Sequence, residues 1–342
     1  MIPTYRRPVL LRRAIQSALG QTHRDLEVWV FDNASGDETE QVVAALSDTD
    51  GRLHYHRHPR NLGSFANFRS AIDSVRTPFF SILADDDVLL PNFHLLALET
   101  FAQYPALMLV GLDCLHAEVG GALLRHREIG PGTYLPPHGL LEMLRQGHLN
   151  WTSVLFRREA LELIGGLDPK TDLYLDFDVL IRLAGRAPFA VRPEAGAVYF
   201  YHDAASSSSA SIDDDRWNAF AAIVAKLADN NSLPESVRAQ ALALLKRQFR
   251  STLIKAGVGA ARRGNVRGAQ LAATELELRL QHHRAAFVVR VAAQIGRSAP
   301  GRFLLGLGAR VRRPYSGQRV TEQLRDVLGD RQLAGLVEPF AR

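Results

Sequence analysis

Apolar and polar positions follow two alternating periods along the first hundred residues of the chain. Residues 9–19 (VLLRRAIQSAL) repeat apolar side chains at helical spacing, whereas residues 26–32 (LEVWVFD) form a short β-rich run. The alternation continues with a predicted helix, strand, helix and strand at 37–46, 52–56, 64–75 and 78–84. Because strands separated by helices form a mostly parallel sheet covered on both faces, the pattern predicts an α/β fold.

The first predicted strand is short. Residues 2–5 (IPTY) would form its end, and almost no sequence precedes them. We therefore expect either that the natural start lies upstream or that this strand is unusually short.

A different pattern begins near residue 215. Residues 235–257 place apolar side chains at helical spacing, namely Val237, Ala241, Leu245, Phe249 and Leu253. The serine-rich stretch 206–211 before it is typical of a flexible loop or a boundary. The sequence therefore predicts two domains, an α/β domain at 1–214 and a helical region at 215–342.

Charge is unevenly distributed along the chain. Residues 251–342 hold 16 Lys and Arg against 6 Asp and Glu, a net charge of +10, and the whole chain carries +5, so residues 1–250 carry 5 − 10 = −5. In residues 302–315 (RFLLGLGARVRRPY) apolar side chains alternate with arginines, as in a segment bound to a membrane surface. Packing against the first domain or a second subunit explains the same pattern. No nucleic-acid partner is expected, because no recognition element accompanies the basic residues.

Composition narrows the class of protein. The chain is 46% hydrophobic and 23% charged, which is typical of a globular protein. Its single cysteine, Cys114, excludes an intrachain disulfide and a four-cysteine zinc site, fits a reducing cytoplasm, and is expected to pack in the core. No stretch approaches the roughly 18 uncharged apolar residues that a membrane span needs.

Carboxylates follow two of the predicted strands. Asp32 ends one strand, and Asp85, Asp86 and Asp87 end another, with no positive charge nearby in sequence to offset them. Ligands bind at the carboxyl ends of strands in parallel sheets, so these side chains are expected to line one crevice. A cap for a helix that starts near Pro91 is the alternative interpretation, although one cap needs only one aspartate.

Several segments together resemble family 2 glycosyltransferases, the inverting enzymes with a GT-A fold. They cover about residues 1–210. The segments are IPTYRRPVLLRRAIQSALGQTHRDLEVWVFDNASGDETEQVV (2–43), NLGSFANFRSAI (61–72), ADDDVLLP (84–91), SVLFRREALELIGGLDP (153–169) and LDFDVLIRLA (175–184).

The resemblance implies a divalent cation, Mn²⁺ or Mg²⁺, at a DxD-type motif. Both ions prefer oxygen ligands. Alignment on the proline of the motif places Asp86 as a metal ligand, Asp85 at the donor ribose and Asp87 as a second or water-mediated ligand. Ala84 stands where the family often has an acidic residue. His202, in YFYHDAASSS, resembles a late histidine directed at the metal or diphosphate, and a packed histidine at a strand end is the alternative.

The resemblance also implies a nucleoside pocket. Asp32 matches the aspartate that contacts the base, and Thr4 and Tyr5 match positions that line the same pocket. Asn67 and Arg69 are further candidate donor contacts, with a solvated helix face as the alternative. For Asp32 the alternative is a turn after the strand, since Asx residues followed by Ser and Gly commonly form turns.

An inverting transfer needs a base that takes the proton of the acceptor hydroxyl. Alignment places Asp176 in this role, although Leu175 replaces the glutamate that normally precedes it. Asp178 is the fallback, and a solvated helix start is the alternative for both. Trp151 can stack on an acceptor sugar but is better interpreted as a core residue. His54, His56 and His58 share one strand face, but a metal site there lacks a carboxylate or cysteine.

These predictions together describe an inverting, metal-dependent glycosyltransferase of bacterial surface polysaccharide or glycoconjugate synthesis. Its expected partners are a UDP-, GDP- or dTDP-sugar and a glycan or lipid-linked acceptor. Its expected location is the cytoplasm, with peripheral contact to the inner membrane face through the C-terminal region. A sugar-phosphate nucleotidyltransferase is an alternative, but residues 2–11 (IPTYRRPVLL) lack the glycine-rich phosphate loop it needs. A binding protein with lapsed catalysis would explain Ala84 and Leu175.

Overall fold

The computed structural model describes residues 1–118, 123–124, 128–201 and 214–307. Within the described residues, 1–118, 123–124 and 128–201 belong to one compact unit and 214–307 belong to a second.

The first unit combines strands and helices in alternating order. Its strands are β1 (Ile2–Thr4), β2 (Val28–Asp32), β3 (Leu53–Arg57), β4 (Phe79–Ser81), β5 (Val88–Leu89), β6 (Leu109–Glu118), β7 (Leu123–Leu124), β8 (Gly132–Tyr134), β9 (Val154–Arg157) and β10 (Phe189–Tyr201). Its helices are α1 (Pro8–Leu19), α2 (Thr39–Ser47), α3 (Ser64–Asp73), α4 (Phe93–Gln103), α5 (His138–Gln146), α6 (Glu159–Leu163) and α7 (Leu175–Ala184), with 3-10 helices at Trp151–Ser153 and Pro169–Tyr174.

Strands β1, β2 and β3 form a parallel sheet in that order. Thr4, Asp32 and Arg57 are in register, so their strands end side by side. The connecting helices bury apolar faces, and in α1 that face includes Leu11 and Ile15, both fully buried. The α/β class predicted from the alternating periods is confirmed.

A second, mixed sheet has the strand order β4-β9-β6-β10-β5. The parallel pair β6 and β10 forms its centre, and β9 and β5 pair antiparallel on either side. The backbone N–H of Leu83 donates to the carbonyl of Met1 at 3.0 Å, which places the chain after β4 beside β1. The aspartates at 85–87 follow directly, so they lie close to the end of the parallel sheet.

The second unit is helical in its described residues. It contains α8 (Asp214–Ala228), α9 (Glu235–Arg262), α10 (Val266–Leu278), α11 (His283–Ile295) and α12 (Ala299–Leu307). The predicted apolar stripe of α9 is confirmed, since Ala241, Leu245, Phe249 and Leu253 are buried, whereas Val237 is half-buried. The rings of Phe249 and Phe220 stack with their centroids 3.6 Å apart.

Close packing of α9 against α10 and α11 leads to a stability prediction. A Cβ on Gly257 would lie 2.5 Å from Val289 Cγ1 and 2.9 Å from Ala272 Cβ. Overpacking of this kind costs about 1–3 kcal/mol, which exceeds the gain of about 1 kcal/mol from replacing a helical glycine by alanine. We expect Gly257→Ala to lower the free energy of unfolding of the second unit by about 1 kcal/mol.

Gly259 is the matched control in the same helix. The nearest atom to a Cβ there is the Arg263 side-chain Nη1 at 3.5 Å, so Gly259→Ala is expected to stabilise the unit by about 0.5–1 kcal/mol. Urea unfolding followed by helical circular dichroism measures both variants. A shift of the same sign for both would contradict the packing argument.

Among the described residues, none of the helices combines the length and apolar character that crossing a bilayer requires. Of the basic segment 302–315, residues 302–307 belong to α12 and the remainder lies outside the described residues.

Candidate active site

The three consecutive aspartates lie in the turn between β4 and β5. The exposed fractions of Asp85, Asp86 and Asp87 are 5%, 9% and 1%. The helix-cap alternative is wrong, because α4 begins at Phe93 and Asn92 occupies its cap position. The buried aspartates therefore make their contacts with other parts of the fold.

Thr4 and Arg7 bind the first two aspartates. The Thr4 hydroxyl, at the carboxyl end of β1, donates to Asp85 Oδ2 at 2.7 Å. Arg7 Nη1 donates to Asp85 Oδ1 at 3.0 Å and to Asp86 Oδ2 at 2.8 Å. Arg7 thus supplies a positive charge to these aspartates, although none lies near them in sequence.

A second arginine supports the turn from α1. Arg13 is 6% exposed, its Nη2 donates to the backbone carbonyl of Asp86, and its guanidinium carbon lies 4.2 Å from the ring centroid of Phe200. Sequence analysis missed both arginines. The available signal was the position of Arg13 between Leu11 and Ala14, beside the apolar face of the helix.

The burial of these charges shifts their pKa values. Burial and the neighbouring Asp86 raise the pKa of Asp85 to about 6, against the opposing effects of Arg7 and Thr4. Burial and Asp86 also raise the pKa of Asp87 well above its usual value. Burial lowers the pKa of Arg13 to about 10, although Asp87 and Asp86 act in the other direction. The site is thus a dense cluster of carboxylates that a further positive charge would stabilise.

Asp87 connects the turn to two other elements. Its Oδ2 accepts from the Thr152 hydroxyl at 2.6 Å, and its Oδ1 accepts from the backbone N–H of Phe200 in β10 at 3.1 Å. The structure thus gives Asp87 a positioning role, and its predicted part in metal binding stays a prediction.

Asp32 anchors the loop after β2. It is 1% exposed, its Oδ1 accepts from the backbone N–H of Ser35 at 2.9 Å, and its Oδ2 accepts from the Tyr55 hydroxyl at 2.7 Å. Burial and Asp32 raise the pKa of Tyr55. The bond to Ser35 is the turn contact that the alternative interpretation expected, so any contact with a base would add to this role. Tyr5 is 37% exposed beside this loop, with the Arg6 guanidinium over its ring at 5.1 Å.

Asn67 and Arg69 lie on different faces of α3. Asn67 is buried, donates to the carbonyl of Phe31 at 3.0 Å, and contacts His58 Nε2 through its Oδ1 at 3.1 Å. Arg69 is exposed and pairs with Asp73 at 3.4 Å. Asn67 therefore holds α3 against the parallel sheet, and the predicted donor contacts of both residues stay predictions.

The two candidate bases differ in their surroundings at the start of α7. Asp176 is half-buried, and its Oδ1 accepts from the backbone N–H of Phe177 at 2.7 Å. Asp178 is fully buried, and its Oδ2 accepts from Arg182 Nε at 2.9 Å and from Arg182 Nη2 at 2.6 Å. These contacts make Asp178 a structural residue and leave Asp176 as the more accessible carboxylate.

The aromatic candidates Trp151 and His54 both make packing contacts. Trp151 is 7% exposed and packs near Phe68 and Phe156, as expected of a core residue. His54 stacks on Trp29, with ring centroids 4.5 Å apart. His202 lies outside the described residues.

Parts of this chain are similar in sequence to known proteins. Residues 1–164 match the family model described as "Glycosyl transferase family 2". The chain is 36% identical over 104 residues to a GalNAc(5)-diNAcBac-PP-undecaprenol beta-1,3-glucosyltransferase of Campylobacter jejuni, which covers 30% of this chain and 32% of that protein. It is 26% identical over 183 residues to chondroitin synthase of Pasteurella multocida, covering 54% of this chain and 18% of that protein. The chain thus spans a third or less of the length of these two relatives.

Solved structures share the fold at low sequence identity. S. aureus TarS 1–349 in complex with UDP-GlcNAc has a TM-score of 0.62 and 16% identity, covering 87% of this chain and 91% of that one. The mannosyltransferase PcManGT of Pyrobaculum calidifontis, in complex with GDP-Man and Mn²⁺, has a TM-score of 0.53 and 18% identity, covering 86% and 85%. The predicted GT-A fold is confirmed. Residues 1–164 therefore form a glycosyl transferase family 2 region of this chain.

Proposed function

We propose that this chain is an inverting, metal-dependent glycosyltransferase that moves a sugar from a nucleotide-sugar donor to an acceptor hydroxyl. The observation that carries the proposal is the buried contact of Thr4, at the carboxyl end of a parallel strand, with Asp85, which Arg7 joins to Asp86. Nucleotides bind at such strand ends in α/β folds. The match of residues 1–164 to family 2 supports the same activity.

In this proposal the donor nucleoside lies along the ends of β1 and β2. Asp32 and Tyr5 face the base, with Thr4 beside them. Asp85 binds the ribose, and Asn67 and Arg69 assist from α3. TarS and PcManGT were solved with UDP-GlcNAc and GDP-Man respectively, which supports a UDP-, GDP- or dTDP-sugar as the donor class here.

Asp86 is the residue best suited to hold Mn²⁺ or Mg²⁺, with Asp87 as a direct or water-mediated partner and His202 as a further candidate. The donor set fits, because hard cations prefer carboxylate oxygens and Asp86 is the most exposed of the three aspartates. When bound, the cation stabilises the negative charge of the leaving nucleoside diphosphate. Arg7 pairs with Asp85 and Asp86 and offsets part of the repulsion between these buried carboxylates.

Asp176 takes the proton of the acceptor hydroxyl in the proposed reaction. The acceptor oxygen forms a bond to the anomeric carbon as the bond to the donor phosphate oxygen breaks. The bonding electron pair leaves with the diphosphate. Because attack occurs opposite the leaving group, the anomeric configuration inverts.

We further propose an acceptor that is a glycan or lipid-linked glycan of a bacterial surface polysaccharide or glycoconjugate, reached at a membrane surface. The name of the Campylobacter relative gives an undecaprenol-linked glycan. In the second unit, the described residues of α11 and α12 expose Phe287, Val288, Phe303 and Leu304 at 54–66%. Exposed apolar side chains beside a basic segment are typical of interfacial binding.

Vesicle flotation tests the membrane proposal. We expect the protein to co-float with vesicles that contain anionic lipid and to lose this in Phe303→Ser/Leu304→Ser. An exposed apolar pair outside α11 and α12, Leu163 and Leu173, provides the matched double serine control. Recovery of the wild type in the pellet with every lipid composition would end the membrane proposal.

Calorimetric titration of UDP, GDP and dTDP, each with Mn²⁺, Mg²⁺ or EDTA, tests the donor site. One nucleotide is expected to bind in a metal-dependent manner, and Asp86→Asn is expected to abolish that dependence, because it removes the charge of the principal ligand. Asp48→Asn, at the exposed end of α2, is the control. Absence of binding under all conditions would contradict the proposal. Binding without nucleoside diphosphate release in the presence of acceptors would favour the lapsed binding protein.

A further inference from the structure

Three buried side chains form a cluster in the first unit that the proposed transfer does not use. Cys114 and His116 lie on the same face of β6, and Glu128 lies beside them. Cys114 and His116 are 5% and 3% exposed, and the side chain of Glu128 is 5% exposed. One potential ligand atom from each residue lies within 4.8 Å of the other two. In the part of the chain that the structure describes, this is the one group of three such side chains close enough to share a metal ion.

The imidazole of His116 lies between Tyr201 and Glu128. His116 Nδ1 lies 3.1 Å from the Tyr201 hydroxyl, and His116 Nε2 lies 3.1 Å from Glu128 Oε1. A histidine that ligates a metal usually makes a second hydrogen bond through its other ring nitrogen, which fixes the ring. Tyr201 provides that second partner.

The other carboxylate oxygen of Glu128 is buried and makes no hydrogen bond within 3.5 Å, although the backbone N–H of Asn150 lies near the carboxylate. A buried polar atom without a hydrogen-bond partner destabilises the fold. Burial also raises the pKa values of Glu128, to about 8, and of the Cys114 thiol. Each of these costs would fall if a cation lay among the three side chains.

We propose that Cys114, His116 and Glu128 form a binding site for a divalent ion of the zinc type, separate from the donor cation at Asp86. A thiolate, a neutral imidazole and a carboxylate are all zinc ligands, and their charges balance Zn²⁺. Zinc bonds of about 2.0–2.3 Å set tetrahedral ligand atoms roughly 3.3–3.8 Å apart, so side-chain shifts of about 1 Å suffice. The thiolate distinguishes this site from the aspartates, which suit harder ions.

The site also has a structural consequence. Cys114 and His116 lie on β6, whose partner β10 carries both Tyr201 and the backbone N–H of Phe200 that binds Asp87. A metal ion there would hold Glu128 to the central strand pair of the second sheet. Its removal is therefore expected to lower the thermal unfolding temperature of the full chain.

Cobalt titration of the reduced, chelator-treated full chain, without an affinity tag, tests the proposal. We expect one equivalent of Co²⁺ to produce a thiolate-to-cobalt charge-transfer band and the visible bands of tetrahedral cobalt, both displaced by Zn²⁺. Cys114→Ser should remove the charge-transfer band. Tyr201→Phe, which leaves all three ligands in place, should weaken Zn²⁺ binding about 10- to 100-fold.

Asp86→Asn is the matched control, since it removes the proposed donor-site ligand and should leave the cobalt spectrum unchanged. Conversely, Cys114→Ser should keep metal-dependent nucleotide binding, so failure of one proposal is distinguishable from failure of the other. The wild-type spectrum itself requires no variant to fold. Cobalt binding without a charge-transfer band, or a band that survives in Cys114→Ser, would overturn the zinc site.

Discussion

Asp176→Asn is expected to reduce turnover by a factor of about 10² to 10⁴, the usual contribution of a positioned general base. The amide keeps the volume of the side chain and its contact with the backbone of Phe177, but it cannot accept the proton of the acceptor hydroxyl. Donor affinity should be unchanged, because Asp176 takes no part in the network of Thr4, Asp85 and Arg7. Release of nucleoside diphosphate in the presence of acceptor, together with calorimetric donor binding, measures the two quantities separately.

Azide provides a further readout for Asp176→Asn that a structural defect would not change. As an anionic nucleophile it attacks without losing a proton, so it should restore diphosphate release in the variant while adding little to the wild type. Wild-type turnover in Asp176→Asn would exclude this residue as the base. A loss of turnover without azide rescue, accompanied by weaker donor binding, would assign it to positioning instead.

Periodicity predicted the parallel sheet because each of its strands and helices has a strong local signal. The runs at 26–32 and 9–19 became β2 and α1 with boundaries within two residues. Periodicity did not predict most of the strand pairing in the second sheet. Its central pair, β6 and β10, joins residues about 80 apart, and pairing over that separation leaves no periodic signal in either segment.

In the turn that holds Asp85, Asp86 and Asp87, local features were likewise predictable from the sequence and contacts with distant residues were not. The motif and its place after a strand indicated where Asp85 and Asp86 would lie. The pairing of Arg7 with Asp85 was not predicted, because the two residues are 78 positions apart in sequence. They meet because the chain near residue 83 lies beside the start of β1. The charge of a site therefore cannot be judged from neighbours in sequence alone.

Asp178→Asn is expected to show the opposite behaviour to Asp176→Asn, although the two aspartates are two residues apart. Loss of the Asp178 charge leaves the Arg182 guanidinium, whose side chain is 17% exposed, without its carboxylate. Breaking a buried ion pair by removing one partner typically costs about 3–5 kcal/mol. We expect a loss near the lower end, about 3 kcal/mol, because Arg182 keeps some exposure.

Urea unfolding of the first unit, followed by near-ultraviolet circular dichroism, measures this loss, with Asp176→Asn as the matched variant that should unfold like the wild type. Arg182 also donates to the carbonyls of Ile164 at 2.7 Å and Gly166 at 3.0 Å, so it holds the loop after α6 against α7. Replacing both partners with apolar residues should therefore fail to restore stability, because those two carbonyls lose their donor. If Asp178→Asn instead kept full stability and lost turnover with azide rescue, the base would be Asp178, and the buried ion pair with Arg182 would have to open during the reaction.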